Sequence, residues 1–427
     1  MMKYDLVVVG GGPAGMAAAL KARECGVKKI IILERSDTLG GILEQCIHTG
    51  FGLHYFGQEL SGPEYAYRFI KELEKTDIDV KVDTMVTEIQ PGNVVIATYN
   101  TDGMLRINAT AIILAMGCRE RPRGALDMPG SRASGVMTAG TAQKYVNING
   151  YMPGKKIVIL GSGDIGLIMA RRMTLEGAKV EMVCELMPYS GGLTRNIVQC
   201  LDDLGIPLKL SCTVIKTHGI GRLEGVTVAN VDENRRPIPG TEQFVECDTL
   251  LLSVGLIPEN ELTRMAGIII DPVTNGAIVD EYRQTSRSGV FACGNVLLVH
   301  DLVDYVTEES QIAGEGAAKY ILSKGKSKGG KIRSGRDIHV TARDGVRYVV
   351  PQNINRSTDR DVKIYFRVGD IYKDATVVVS SGDKELYRRK KKKLAPGEME
   401  NVTVKLEDIA SLEGNEITVK LEVGKNG

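Results

Sequence analysis

The chain of 427 residues has no tryptophan, six phenylalanines and five histidines. The histidines follow no metal-ligand spacing, so no metal centre is expected. No two of the eight cysteines, Cys25, Cys46, Cys118, Cys184, Cys200, Cys212, Cys247 and Cys293, lie closer than twelve residues apart. That excludes a C-x-x-C redox motif and a zinc-knuckle arrangement. No apolar run approaches the ~20 residues needed to span a bilayer, so no membrane span is expected. The first residues form a strand-like run, Tyr4–Val9, without a basic-plus-apolar leader, and the expected setting is reduced and cytoplasmic. Net charge is also lacking: 54 basic and 53 acidic side chains leave +1, which argues against a dedicated nucleic-acid binder.

The even balance hides a split. Residues 326–427 carry 22 Lys/Arg against 15 Asp/Glu, while residues 1–325 carry 32 against 38. All the cysteines precede Val296. At roughly 100–200 residues per domain, the length suggests two to four domains. Glycine is in excess at 49 residues, against a usual share of about 7%. With no Gly-X-Y period and 43% hydrophobic residues, neither collagen nor disorder explains it.

Part of the excess has a local meaning. The strand-like run Tyr4–Val9 leads into Gly10-Gly11-Gly12-Pro13-Ala14-Gly15, an Ala-rich helical run from Met16 to Cys25, and a second strand, Ile30–Leu33, ending at Glu34. In a G-x-G-x-x-G turn, Gly10 allows the tight bend, Gly12 admits a pyrophosphate, and Gly15 lets helix and strand pack closely. The helix N-terminus offers unpaired N–H groups to phosphate, and Glu34 would accept from a ribose hydroxyl. The pattern recurs. Lys156–Leu160 leads into Gly161-Ser162-Gly163-Asp164-Ile165-Gly166, then a helix to Glu176 and a strand, Lys179–Cys184, ending at Glu185. First glycine to acid is 24 residues in both copies. No Arg or Lys directly follows Glu185 to take a 2′-phosphate, so the second site is read as preferring NAD(H).

Residues 1–325 resemble the two-dinucleotide flavoproteins of the pyridine-nucleotide-disulfide oxidoreductase superfamily. Besides both glycine turns, Ala111–Gly117 with Pro122 looks like the family's strand-to-domain crossing, and Leu250–Gly255 with Pro258 like its return. Thr285 and Gly289–Asn295 match the second FAD motif, with Asn295 where Asp is usual. The resemblance implies an α/β fold: an FAD domain from residues 1–120 and 255–325, interrupted by an NAD domain at 121–254. It implies FAD and NAD(H) as cofactors. On the FAD side it points to Gly10, Gly12, Pro13, Ala14, Gly15, Glu34, Arg35, Gly41, Val86, Ala115, Met116, Gly117, Gly294 and Asn295. On the NAD side it points to Gly161, Gly163, Asp164, Ile165, Gly166, Glu185 and Gly255.

The segment Gly40–Phe56 carries Cys46 alone where disulfide-reducing relatives carry two cysteines, or one used with peroxide or coenzyme A. Cys46 is either a small buried side chain or a thiol beside the flavin, the second needing a depressed pKa that His48 would support only as a cation. Cys46 and His48 are the candidate catalytic residues. The resemblance places His48, His54 and His300 near the isoalloxazine, and His218 and His339 away from it. Asp301 is a candidate N-cap for a helix running to Leu322.

The run from Cys46 to Ala66 is similar to NAD/FAD-dependent oxidoreductase subunits that partner glycerol-3-phosphate-dehydrogenase-like flavoproteins, sometimes described as NADH oxidase subunits. That implies a second flavoprotein subunit, with dioxygen as an acceptor yielding hydrogen peroxide. Two alternatives stay open: a thiol-dependent disulfide or peroxide reductase using Cys46, and a non-catalytic docking subunit.

A Gly/Ser/Lys stretch at 326–330 reads as a linker. Beyond it, residues 331–427 alternate apolar and polar at Val362–Val368, Ala375–Val379, Thr403–Leu406 and Ile417–Val423, predicting a small all-β, sandwich-like domain. The basic run Arg388–Lys393 reads as a solvated hairpin or a contact surface for the acidic body or a partner.

Overall fold

A computed structural model describes residues 2–100, 103–324 and 338–423. The linker expected at 326–330 lies outside the described residues. The chain forms two compact units, one of Met1–Glu44, Thr49–Cys118 and Pro258–Gly427, the other of Gln45–His48 and Arg119–Ile257.

The first unit is built on a seven-stranded sheet. Asp79–Lys81, Ile30–Leu33, Met2–Val9 and the later part of Gly103–Leu114 follow one another in parallel, and the first part of Gly103–Leu114 continues into the antiparallel strands Val94–Tyr99 and Thr84–Gln90. On their other side the last residues of Gly103–Leu114 pair with Val290–Ala292, also in parallel. Both faces are covered, so the central strands are apolar throughout rather than alternating with polar residues. Leu6, Val8, Ile30, Ile32 and Ile113 face one core, and Val7, Val9, Ile31, Leu33 and Ile112 face another. The first core takes the Ala-rich helix Pro13–Glu24 and part of the helix Val303–Lys324. A Cβ on Gly314 would stand 2.3 Å from the Ala18 carbonyl oxygen, so these two helices meet backbone to backbone. The helix Gly62–Glu74 starts at a capping box, Ser61 accepting from Glu64 N–H and Glu64 from Ser61 N–H.

Within the same unit, the C-terminal residues form a five-stranded sheet and a three-stranded one around a shared core. The three-stranded sheet is Val346–Val350, Val362–Val368 and Glu400–Val404. Alternation on Val362–Val368 does more than fill that core. Ile364, Phe366 and Val368 point into it, whereas Tyr365 joins Val350 in the core beneath the large sheet. The basic run sits on Lys384–Leu394, an edge strand. Charged edges discourage pairing with another chain. Arg388 pairs with Glu385 and Glu422, Lys390 with Asp374, and Lys391 with Glu400.

The second unit carries a five-stranded parallel sheet, ordered Val136–Thr138, Thr249–Leu252, Lys156–Leu160, Lys179–Cys184 and Leu208–Lys209. Helices Ala139–Asn147 and Asp164–Leu175 lie over it. A three-stranded antiparallel sheet, Cys212–His218, Gly225–Asn230 and Gln243–Glu246, covers the other core. Among the described residues no helix is long and apolar enough to cross a membrane.

Candidate functional site

The first glycine loop is closed by its own sterics. Gly10 has φ +109°, and a Cβ there would stand 2.4 Å from the Ala115 carbonyl oxygen. A Cβ on Gly15 would stand 1.9 Å from the Gly10 carbonyl oxygen. Gly12 is different: the nearest atom to a Cβ there is the Gly41 Cα, at 4.0 Å, so its surface is bare backbone. Gly12 caps the helix in extended conformation, and Pro13 occupies the first turn, where no N–H is needed. Glu34 is buried at the end of its strand. Its carboxylate accepts from Gly11 N–H at 2.6 Å and from Ser36 N–H at 2.8 Å. A carboxylate has about four acceptor positions, so two stay open for ribose hydroxyls.

The other residues expected on this side gather round the loop to different degrees. Ala115 N–H donates to the Val9 carbonyl, and Met116 and Gly117 follow it at half-buried positions. Gly294, φ +71°, lies against the loop's helix: a Cβ there would stand 2.6 Å from the Ala14 Cβ. Asn295 donates from Nδ2 to the Cys118 Sγ at 3.6 Å and accepts the His300 N–H at 3.1 Å. Arg35 is exposed. The Val86 side chain is buried in the sheet core, two residues beyond the Thr84 N–H that donates to the Glu34 carbonyl.

The second loop repeats the plan. Gly161 has φ +99°, and a Cβ there would stand 2.1 Å from the Ser253 carbonyl oxygen. A Cβ on Gly166 would stand 2.6 Å from the Gly161 carbonyl oxygen, and one on Gly163 would meet only the Ser253 Oγ, at 3.8 Å. Glu185 accepts from Ser162 N–H at 2.8 Å, Ser162 Oγ at 2.7 Å and Met187 N–H at 2.9 Å. Asp164 opens the helix, and its carboxylate accepts from Leu193 N–H and Asn196 Nδ2. Ile165 is half-buried against the helix-side core. Gly255, φ +104°, accepts at its carbonyl from Arg121 N–H. Lys209 sits beside Glu185 on the neighbouring strand, which the sequence did not reveal, but its ammonium is 2.7 Å from Gln243 Oε1.

Cys46 and His48 belong to the second unit. The Cys46 Sγ is 3.8 Å from Gln143 Oε1, an atom that also takes the Gln45 side-chain N–H at 3.0 Å. Burial pushes the Cys46 thiol up to about 12, opposite to the depression a thiolate mechanism requires. His48 is held below its ordinary value by burial and then by the Arg195 guanidinium, with Asp164 opposing. It therefore does not supply the cation that the thiol reading needed. Two cysteines distant in sequence do meet: the Sγ atoms of Cys184 and Cys212 lie 3.9 Å apart behind Glu185.

Asp301 does not cap the helix, which starts at Val303. Its carboxylate accepts instead from Arg367 and from Met399 N–H, both in the C-terminal sheets. His300 is closed off from solvent against Glu309, and His54 stacks on Tyr305. Glu309, Arg283 and Gln143 were missed in the sequence. One of them left a signal: Glu309 stands on the helix's apolar stripe with Val306, Ala313 and Ala317.

Two glycine loops, each with a buried acid fixed by backbone N–H groups, define a protein that binds two dinucleotides. Residues 4–317 match the pyridine nucleotide-disulphide oxidoreductase family, and the chain belongs to it. The family uses FAD and NAD(P)H, and its members are oxidoreductases. The bare Gly12 surface and the open positions on Glu34 and Glu185 fit such cofactors. The chain is 28% identical over 324 residues to an opine oxidase subunit of Agrobacterium tumefaciens (strain Ach5), covering 68% of this chain and 61% of that protein. It is 26% identical over 318 residues to the HcnB subunit of hydrogen cyanide synthase from Pseudomonas protegens, covering 69% and 66%. The matched region thus spans slightly less than two thirds of these relatives. In fold it is similar to thioredoxin reductase of T. acidophilum, with TM-score 0.61, 23% identity, and coverage of 77% of this chain and 100% of that one.

Proposed function

We propose that the chain exchanges hydride between NAD(H) and FAD, and electrons with a partner flavoprotein subunit resembling glycerol-3-phosphate dehydrogenases. Dioxygen is a further acceptor, reduced to hydrogen peroxide. The observation that carries this reading is the duplicated loop, with Glu34 and Glu185 each held by two backbone N–H groups. When bound, FAD supplies the two-electron redox chemistry. The chain supplies binding and orientation. Glu34 and Glu185 fix the ribose ends, and the N–H groups at the two helix starts receive pyrophosphate. FAD is read onto the first loop and NAD(H) onto the second. NADH is read as preferred over NADPH, because Glu185 would repel a 2′-phosphate and the Lys209 ammonium is engaged by Gln243.

Two further points support the reading. The opine oxidase and hydrogen cyanide synthase relatives are subunits by name, which agrees with a partner. The raised pKa of the Cys46 thiol disfavours the thiol-dependent reductase. The test is to add NADH to the purified yellow protein without air, then admit dioxygen. The expected result is bleaching of the flavin absorbance, followed by its return with one peroxide formed per NADH. Flavin that stays oxidised in the presence of NADH would overturn the reading.

A further inference from the structure

The turn Gly294–His300 is held from behind by charged groups that no solvent reaches. Glu309 accepts from His300 Nε2 at 2.8 Å, from Arg283 Nε at 3.2 Å and from Gly294 N–H at 3.2 Å. The side chains of Arg283, His300 and Glu309 are all 1% exposed or less. Burial by itself would raise the Glu309 pKa, but His300, Arg283 and the Gly294 N–H outweigh it and hold the carboxyl below its ordinary value. Charges in such a place are tolerated only while they stay paired and water stays out.

The stopper comes from the C-terminal sheets. The Tyr365 ring, fully buried, stands edge-on to His300 with centroids 5.4 Å apart, and the Arg283 guanidinium carbon is 5.9 Å from its centre. On either side of Tyr365 in the same strand, Lys363 pairs with Glu308 at 2.8 Å and Arg367 with Asp301. Just before the strand, Arg360 pairs with Glu315 at 3.0 Å. Here three basic residues of the tail pair with acids of the body.

We propose that the C-terminal β domain is a working wall of the FAD site, with Tyr365 and Arg367 as positioning residues that act through Glu309, His300 and Asp301 on the Gly294–Asn295 turn. That turn reaches the first loop through Gly294 against Ala14, and the segment just past Gly117 through Asn295 against Cys118. Loosening the stopper lets water reach the Arg283–Glu309–His300 cluster, and the turn loses its support. The ring, not the hydroxyl, does this work, since the Tyr365 Oη has no hydrogen-bond partner among the described residues.

The inference rests on the assignment of FAD to the first loop, and the test separates the two. Apoprotein is titrated with FAD, following flavin fluorescence quenching and the shape of the bound absorption band, for wild type, Tyr365→Ala, Tyr365→Phe and Arg367→Gln. Expected are a Kd for FAD raised about tenfold or more in Tyr365→Ala, a smaller rise in Arg367→Gln, and recovery to near wild type in Tyr365→Phe. Arg389→Ala, on the exposed edge strand of the same domain, serves as the control and leaves Kd unchanged. If folded Tyr365→Ala binds FAD within twofold of wild type with an unaltered band, the proposal is wrong. Should Tyr365→Ala not fold, Arg367→Gln decides by the same criterion. Wild type that takes up no FAD would instead overturn the cofactor assignment itself.

Discussion

In the first glycine loop Glu34 takes one N–H from inside the loop and one from two residues past itself, and in the second Glu185 does the same. In both, the first glycine N–H donates to the last carbonyl of the acid's strand, Leu33 or Cys184. The two loops part at the start of the helix. The first offers Pro13-Ala14, without an acid in the opening turn, while the second offers Asp164. A carboxylate there opposes the attraction of a helix N-terminus for phosphate by about 0.3–1 kcal/mol. In return, Asp164 fastens Leu193 and Asn196. On the proposed assignment, this difference suits the first loop to a cofactor that stays and the second to a dinucleotide that leaves on every turnover.

The largest way to break the comparison is to fill a first glycine. Gly10→Ala puts a Cβ 2.4 Å from a carbonyl oxygen at positive φ, and is expected to weaken FAD by roughly 100-fold or more, giving a colourless preparation. Next, Glu185→Ala with Met187→Arg should shift relative kcat/KM toward NADPH by about 20-fold, and no shift would remove Glu185 as the ribose reader.

A fourth buried glutamate, Glu281, lacks the paired partners of Glu309. Glu281 accepts from the Asn355 N–H at 2.8 Å, but burial, followed by Asp280, outweighs its hydrogen bonds and raises its pKa to about 7. Folded protein therefore holds a proton that the unfolded chain releases near 4.5, and stability should fall as pH rises from about 4.5 to 7. Glu281→Gln should remove that slope, worth about 2 kcal/mol in urea melts at pH 5 and 8, and an unchanged slope would assign the titration elsewhere. Asp164→Asn should lower the KM for NADH about two- to fivefold, because it removes the opposing charge. Cys46→Ser should change NADH-dependent flavin reduction and reoxidation by less than about twofold. A loss of turnover with any acceptor would revive the thiol mechanism.

What the sequence revealed and what it hid differ by range. Both loops were legible because the need for bare backbone at Gly10, Gly12, Gly15, Gly161, Gly163 and Gly166 is met within a few residues, and each acid follows at a fixed spacing. Strands such as Val362–Val368 were legible from alternation, but not that Tyr365, on the other face, would leave its own domain's core. The hidden features are pairings across long separations: Arg283 with Glu309, Asp301 with Arg367, Cys184 with Cys212, Gln45 with Gln143. A carboxylate at Asp301 looks like a helix cap until the fold presents it with a guanidinium 66 residues away. The run Arg388–Lys393 drew attention by its density, yet the basic residues that meet the acidic body are Arg360, Lys363 and Arg367, spaced along a different segment.

The central claim is that the first loop holds FAD and the second receives NADH. It is tested most directly by anaerobic NADH titration of FAD-loaded Gly161→Ala beside wild type. Wild-type flavin should bleach with one equivalent of NADH, while the variant should stay yellow at that concentration and be bleached by dithionite alone. Bleaching of the variant by the same NADH, or loss of its FAD in place of its response to NADH, would contradict it.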